Sequence, residues 1–542
     1  MDSFTGTWRL IRLALRRDRI KIPVSVLGLL AMSGLSAPAL VDAYPDAQTQ
    51  LAYIAGSAPS VVGRLFQGTV QGVNLGSIVM AEIFLFTSVI LAVMSIFMIT
   101  RHTRHNEEIG AGELIGSAIV GKSAPLTAAL IVTIGFNLIF GILLFAALAG
   151  IPELEKTGSF YFAASISMVG IFFAGVAAIT SQLSDYRRGA NGMAIGALIG
   201  FFLIRGFGDA LGDLSADGLT VTASWLSWLS PIGWGYQVLP FTANRPSPML
   251  LLLAVFIVCL VIGYALLRRR DLGSSIFESR AGLARAKANL LSAGGLARRL
   301  QIGSLLAWSA GFLITGVMIG VLANDFRETF EENELFQDFL ALSGGDNFVK
   351  SMVSSMMPIF AAMLSGFTVT AMAKMIDEET SGRLEFLLSS AQTRLKWLMS
   401  HISFISLGLV LALLLLGISG GFSYVLTAEV LEISFMEIVW SALANLPAML
   451  LFMAVILFVY AAIGRFVRTF AWFYYIYVAL IGSLASIWSW PQWASNFSPF
   501  VHTPSVPSCH IEWLPLLAMT GLAAGLVAVS VWLLNRRDIA LK

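Results

Sequence analysis

The sequence predicts an all-α polytopic membrane protein of about twelve transmembrane helices, arranged as two parallel six-helix repeats. Three observations predict it: an apolar composition, a run pattern with sorted charges, and an internal match between halves. Of 542 residues, 57% are hydrophobic and 12% charged, with a mean hydropathy of +0.81, whereas a soluble domain is about a quarter charged. So few charges could not cover the water-facing surface of a soluble multidomain enzyme, which excludes that class. The net charge of +2 gives no reason to expect nucleic acid as a partner. Cys259 and Cys509 are neither clustered nor regularly spaced, so no disulfide framework or metal site is implied.

About 20 apolar residues at 1.5 Å rise cross the hydrocarbon of a bilayer. Runs of that kind lie near 22–42, 78–100, 124–149, 159–182, 190–205 (short) and 248–267. A second set lies near 302–323, 352–373, 398–424, 436–463, 469–489 and 513–534. The first run is too long for the core of a signal peptide and has no evident cleavage site, so it reads as a retained helix. Ahead of it, Trp8–Arg17 is basic and amphipathic and is expected on the inner membrane surface. With the N-terminus inside, 28 of the 34 Lys and Arg fall in inner segments, leaving Arg64, Lys156, Arg205, Arg245, Arg327 and Lys350 outside. Positive residues are retained on the cytoplasmic side, so both termini are expected there. Acids gather outside, with Asp325, Glu328, Glu331, Glu332, Glu334 and Asp338 in one loop.

The two halves end alike. Ser230-Pro231, an apolar run and Arg268-Arg269-Arg270-Asp271 are matched by Ser498-Pro499, a second run and Asn535-Arg536-Arg537-Asp538. After the second span of each half, Asn106-Glu107-Glu108 and Glu113 correspond to Asp377-Glu378-Glu379 and Glu385. Six spans per unit is an even number, so both units enter the membrane in the same orientation, as transporter repeats do. The domains are therefore read as 1–267, a basic cytoplasmic linker over 268–301, and 302–542.

The stretches after spans two and eight each predict a short amphipathic helix. Asn106 can cap the first, Glu107 and Glu108 favour its positive end, and Ala111, Ile115, Ala118 and Ile119 share a face. Asp377 caps the second, Glu378 and Glu379 open it, and Leu384, Leu387, Leu388 and Ala391 form the equivalent face. Glu379 and Arg383 are spaced for an i,i+4 surface pair. A lone helix of this sort is a solvated turn; two at matching positions read as paired docking elements.

This pattern resembles the membrane subunits of ABC-2 type transporters. The segments Ser230–Phe241 and Ser498–Pro504 look like those of the actinobacterial exporters of polyketide antibiotics, the tetronasin-like permeases. The resemblance implies a type V exporter-like fold in a bacterial cytoplasmic (inner) membrane. It also implies a hydrophobic drug or antibiotic as cargo and two copies of a separate ABC ATPase, which would bind the ATP and Mg2+. The coupling residues it implies are Glu107, Glu108, Glu113, Ile115 and Ile119, with Glu378, Glu379, Arg383, Glu385 and Leu388. In related exporters the second and fifth spans of each half line the cavity, which makes Phe86, Met94, Phe97, Phe360, Met363, Phe367, Trp472 and Tyr475 the candidate walls. Soft aromatic and Met surfaces suit an apolar cargo. The chain itself is expected to be no enzyme and to hold no cofactor or metal. A lipid or glycolipid exporter of the same type is the alternative, and a proton-driven drug transporter a more distant one.

Two motifs invite a different reading. Gly116 to Ser123 satisfies GxxxxGK[ST], and Leu342-Ser343-Gly344-Gly345 resembles an ABC signature. A phosphate loop needs a strand before it and a helix opening after it, and here a helix precedes. Leu342–Gly345 also falls on the outer side, so both matches read as accidental. Within the spans, Glu82, Lys374 and His401 sit near helix ends, where the first two can snorkel and the histidine can pack. His102 and His105 are spaced i,i+3, but no third ligand accompanies them, and a solvated face is expected.

Overall fold

The computed structural model describes residues 3–271, 273–277, 284–285, 287–331, 348–389, 392–428, 430–464, 466–484, 492–509 and 511–537. The acidic loop beyond Glu331, the Leu342–Gly345 tetrapeptide, Ala391 and Asp538 lie outside them. The fold is all-α, with one two-residue β-hairpin among the described residues. Eleven helices among those residues are long and apolar enough to cross a membrane. The run expected at 469–489 begins a helix at Val467–Leu484, and its remainder is outside the described residues. The chain separates into two compact units, Met1–Gly282 and Leu283–Lys542.

In the first unit, α1 (Thr7–Arg17) lays Ile11 and Ala14 against Ala128 and Val132 and leaves Trp8 and Leu13 exposed. Then come α2 (Lys21–Ala43), α3 (Ala47–Ser57) and α4 (Val61–Phe66). Asp46 caps α3 by accepting from the Thr49 amide at 2.8 Å, and Asn74 caps α5 (Leu75–His102) by accepting from the Ser77 amide at 2.8 Å. Short α6 (Arg104–Glu108) and α7 (Ala111–Gly116) precede α8 (Ala124–Ala149) and α9 (Lys156–Leu183). Helix α9 is the most enclosed, packing on both α5 and α8 through small residues such as Gly170, whose absent Cβ makes room for Asn137.

Next is α10 (Arg187–Ala210), a full span rather than the short one expected at 190–205. The hydropathy signal stops at Arg205, but Arg205 pairs with Asp209 one turn later at 3.0 Å, both buried, so the charges neutralise each other inside the helix. The hairpin β1 (Asp213–Leu214) and β2 (Val221–Thr222), α11 (Pro231–Tyr236) and the last span α12 (Ser247–Arg269) complete the unit.

The second unit contains α13 (Ala293–Glu331), α14 (Phe348–Leu364), α15 (Gly366–Thr380), α16 (Arg383–Leu388) and α17 (Arg394–Thr427). It continues with α18 (Phe435–Leu443), α19 (Leu446–Ala462), α20 (Val467–Leu484) and α21 (Trp513–Arg536). Its α13 and α17 touch backbone to backbone: a Cβ on Gly316 or Gly320 would stand 2.3 Å from the carbonyl oxygen of Leu416 or Gly420. Small residues permit such close approach, which favours helix association where lipid supplies no hydrophobic drive. The core centres on α15, α17 and α19, with Phe367, Met372, Leu409 and Phe452 buried.

Candidate functional site

Both short helices begin at a glycine in the left-handed region, Gly110 at φ 75° and Gly382 at φ 74°. In each half the preceding helix closes on that glycine, whose amide bonds back to the carbonyl of Glu107 or Glu379. Glycine adopts this conformation without the Cβ clash other residues meet, and so it ends helices. The break therefore falls after the acidic residues, and the capping expected of Asn106 and Asp377 does not occur. Asn106 instead accepts from Arg17 at 2.6 Å and donates to the His102 carbonyl. Asp377 lies in the last turn of α15 and pairs with Arg468. The glycines also correct the register of the repeat. Gly110 pairs with Gly382, hence Glu107 with Glu379, Leu114 with Phe386, and Gly112 with Leu384.

With that register the two acids do the same thing. Glu107 is gripped bidentately by Arg270, at 2.6 and 2.8 Å, and a third bond of 2.7 Å arrives from Arg104. Both guanidinium groups are buried and further satisfied, Arg270 by Gln182 at 2.7 Å and Arg104 by the carbonyls of Ser181 and Ser274. In the second unit Glu379 accepts from Arg537 and from the Tyr460 phenol, while Arg537 also reaches the Tyr460 carbonyl at 2.7 Å. Arg270 and Arg537 are the residues before the aspartate in the two terminal motifs of the repeat. The acidic and arginine-rich motifs, far apart in sequence, thus meet within each half, tying the turn before α7 or α16 to the end of that half's last span. Bidentate Arg–carboxylate pairing adds direction as well as strength.

Glu378 is not on the surface either. It accepts from Trp397 at 2.7 Å and lies 3.1 Å from His401, whose other ring nitrogen meets Gln301 at 2.6 Å. His401 is thus a satisfied packing residue. The expected Glu379–Arg383 surface pair does not form, since Glu379 is buried with Arg537 and the Arg383 Nε donates to Ser381. His102 is buried against Asp18 at 2.6 Å, rather than lying on a solvated face, and Arg101 holds the same carboxylate at 2.7 Å. Among the described residues no group of three or more His, Cys, Asp or Glu could hold a metal ion.

Two apolar side chains stand out among those that remain outward. Leu114 is 76% exposed and its counterpart Phe386 82%, each projecting from a six-residue helix, with Ile109 and Ile119 also exposed beside the first. Glu113 and Glu385 are exposed on the same helices, and Glu108, also exposed, accepts from the Arg187 amide at 3.1 Å. Leu384, Leu387 and Leu388 turn inward onto the second unit's core. Where that unit has Leu384 and Leu388, the first has Gly112 and Gly116. They line a cavity of about 260 Å³ with Ile115, Lys122 and Arg270, while the corresponding space in the second unit measures about 30 Å³.

The GxxxxGK[ST] segment is no phosphate cradle: the Gly121 and Ser123 amides bond to the carbonyls of Thr5 and Ser3, and Lys122 donates to the Arg268 carbonyl. Of the candidate walls, Met94 and Phe97 line a cavity of about 260 Å³ with Asp18 and Arg101, and Phe86 lines a separate one. Phe367 is wholly buried in the second unit's core, beside Gly408. Phe360 packs against that core, Met363 and Trp472 are about half exposed, and the Tyr475 hydroxyl donates to the Met363 carbonyl at 2.5 Å.

Residues 290–534 match the family described as multidrug efflux system permease Rv1217c, C-terminal domain. Over 543 aligned positions the chain is 32% identical to the multidrug efflux system permease protein Rv1217c of Mycobacterium tuberculosis (strain ATCC 25618 / H37Rv), covering 99% of this chain and 96% of that one.

Proposed function

The chain belongs to the multidrug efflux system permease family, and from that premise we propose that it is the membrane subunit of an ATP-driven exporter of hydrophobic drugs or antibiotics. Belonging to that family supports the efflux role. The narrower likeness to polyketide exporters and the ATP-driven mechanism are part of the proposal. The observation that carries the mechanism is the pair of equivalent apolar prongs, Leu114 and Phe386, each on a short helix anchored by a Glu–Arg contact to its half's last span. Apolar residues this exposed on otherwise polar turns mark a contact surface for another protein. The partner is an ABC ATPase present twice, one copy per prong, on the cytoplasmic side of the inner membrane. It binds ATP and Mg2+. Its closure pushes α7 and α16, and the buried carboxylates pass that displacement to α12 and α21.

The test is co-purification from the native host. Wild-type chain carrying an affinity tag retains an ABC ATPase, and Leu114→Asp with Phe386→Asp loses it while the chain still inserts in the membrane. Retention of the ATPase by the double variant, or absence of any ATPase with the wild type, overturns the mechanism.

A further inference from the structure

One carboxylate in the spans has no part in the coupling just described. Glu82 lies two turns into α5, near its far end from the arginine-rich motifs. Its Oε1 accepts from the Tyr53 hydroxyl at 2.5 Å and from the Gln67 amide at 3.2 Å. Among the described residues no donor reaches Oε2. An acid placed in a membrane helix costs free energy, and it is retained where it has work to do. Tethering α3 and the α4 turn to α5 is one such use, but a neutral acceptor would serve for that.

The surroundings favour a second use. Glu82 opens on a cavity of about 400 Å³ between α2 and α5, within the roughly 300–1,000 Å³ range of small-molecule sites. Met32, Leu40 and Ile83 supply apolar walls, and none of the lining residues is Lys or Arg. Phe86, one helical turn from Glu82 and 57% exposed, shares that lining and offers a ring face to a cation beside the carboxylate. Thr87, also in the wall, is fully buried with a hydroxyl that meets no partner among the described residues. An anionic oxygen, an aromatic face and an orphan hydroxyl in an apolar pocket are the donor set for an organic cation.

We propose that this cavity binds the cationic head of an amphipathic cargo, with Glu82 as counter-ion, Phe86 as cation–π partner and the Met32–Leu40 face of α2 receiving the apolar body. The proposal rests on the drug-efflux reading and narrows its substrate class to include organic cations.

The test is equilibrium binding to the purified full-length chain in lipid nanodiscs, by fluorescence polarisation, with two cationic probes, ethidium and rhodamine 6G, and neutral Nile red. Glu82→Gln keeps a carbonyl oxygen for Tyr53 and Gln67 but removes the charge. It is expected to weaken both cations about tenfold or more and leave Nile red unchanged. Tyr53→Phe removes a tether donor and keeps the charge, and is expected to leave cation binding within about twofold. Ser36→Trp, at the cavity wall, is expected to weaken the cations by obstruction. Equal effects of Glu82→Gln on all three probes, cation loss in Tyr53→Phe matching that in Glu82→Gln, or no cation binding above empty nanodiscs would overturn the site. ATP-dependent accumulation of the probes in inverted vesicles separates the two claims. If wild-type vesicles move no probe while Glu82-dependent binding persists, the efflux reading fails and the site stands.

Discussion

Glutamates that look alike in sequence differ sharply in what holds them. Glu107 faces two buried guanidinium groups, and neutralising it leaves both without their counter-charge, which for a buried pair costs about 3–5 kcal/mol. Glu107→Gln should therefore lower the melting temperature of the purified chain by several degrees, while Glu113→Gln, on an exposed side chain, should leave it within about one degree. A thermal shift assay in detergent checks both, and equal shifts would remove the distinction. Arg270→Lys should fall between them, because an ammonium cannot reproduce the two-point grip on Oε1 and Oε2. Residue chemistry was half legible in the sequence. Both the acids and the Arg-Asp motifs stood out as repeated, but their meeting did not. Glu107 and Arg270 belong to helices separated by three further spans, and neither periodicity nor local spacing reports a contact of that range.

The short helices show where a local rule was available and a competing one won attention. Asn106 and Asp377 followed by acids satisfy the opening pattern of a helix, yet the chain holds the helical path until Gly110 and Gly382. A glycine just past an acidic turn is equally a stop signal, and here the left-handed φ decides. Adding a Cβ at either glycine meets no neighbour within 4 Å, so the cost of Gly110→Ala or Gly382→Ala is backbone strain alone, about 1 kcal/mol. The expected result is a small loss of thermal stability with a larger loss of ATPase retention, since the turn sets the direction of Leu114 or Phe386. Pull-down yield measured beside the melting temperature checks it; unchanged retention in both variants would show that the turn does not aim the prongs. By contrast, Gly112→Leu would place a Cβ 3.1 Å from the Glu107 Cα, so the turn that carries Glu107 would have to give by a few tenths of an ångström to admit the residue that stands as Leu384 in the other half. Spans were more legible than these turns, because long apolar runs have no rival reading. The exception was α10, where Arg205 hid the helix end until Asp209 supplied its partner.

At the scale of the molecule, composition and charge sorting already placed the chain in a membrane, and the all-α structure agrees. The energy source is the remaining question at that scale. A proton-driven transporter needs titratable groups linked along the spans. In the first unit Arg205 and Asp209 neutralise each other, and in the second Lys350 pairs with Glu437 at 3.1 Å. Glu107 in the first unit, and Glu378 and Glu379 in the second, are each held by arginine or by histidine and tryptophan. Within α5 the next buried titratable side chain after Glu82 is His102, about 20 residues or roughly 30 Å along the helix, and the buried side chains between them are apolar or hydroxyl-bearing. A proton entering at Glu82 therefore has no titratable acceptor within roughly 30 Å along its own helix. Efflux in intact cells should therefore persist when an ionophore collapses the proton gradient, provided ATP is maintained, and should stop when ATP is depleted with the gradient clamped. The opposite pair of results would make Glu82 a proton carrier rather than a counter-ion for cargo, and would overturn the ATP-driven reading at the level of the whole molecule.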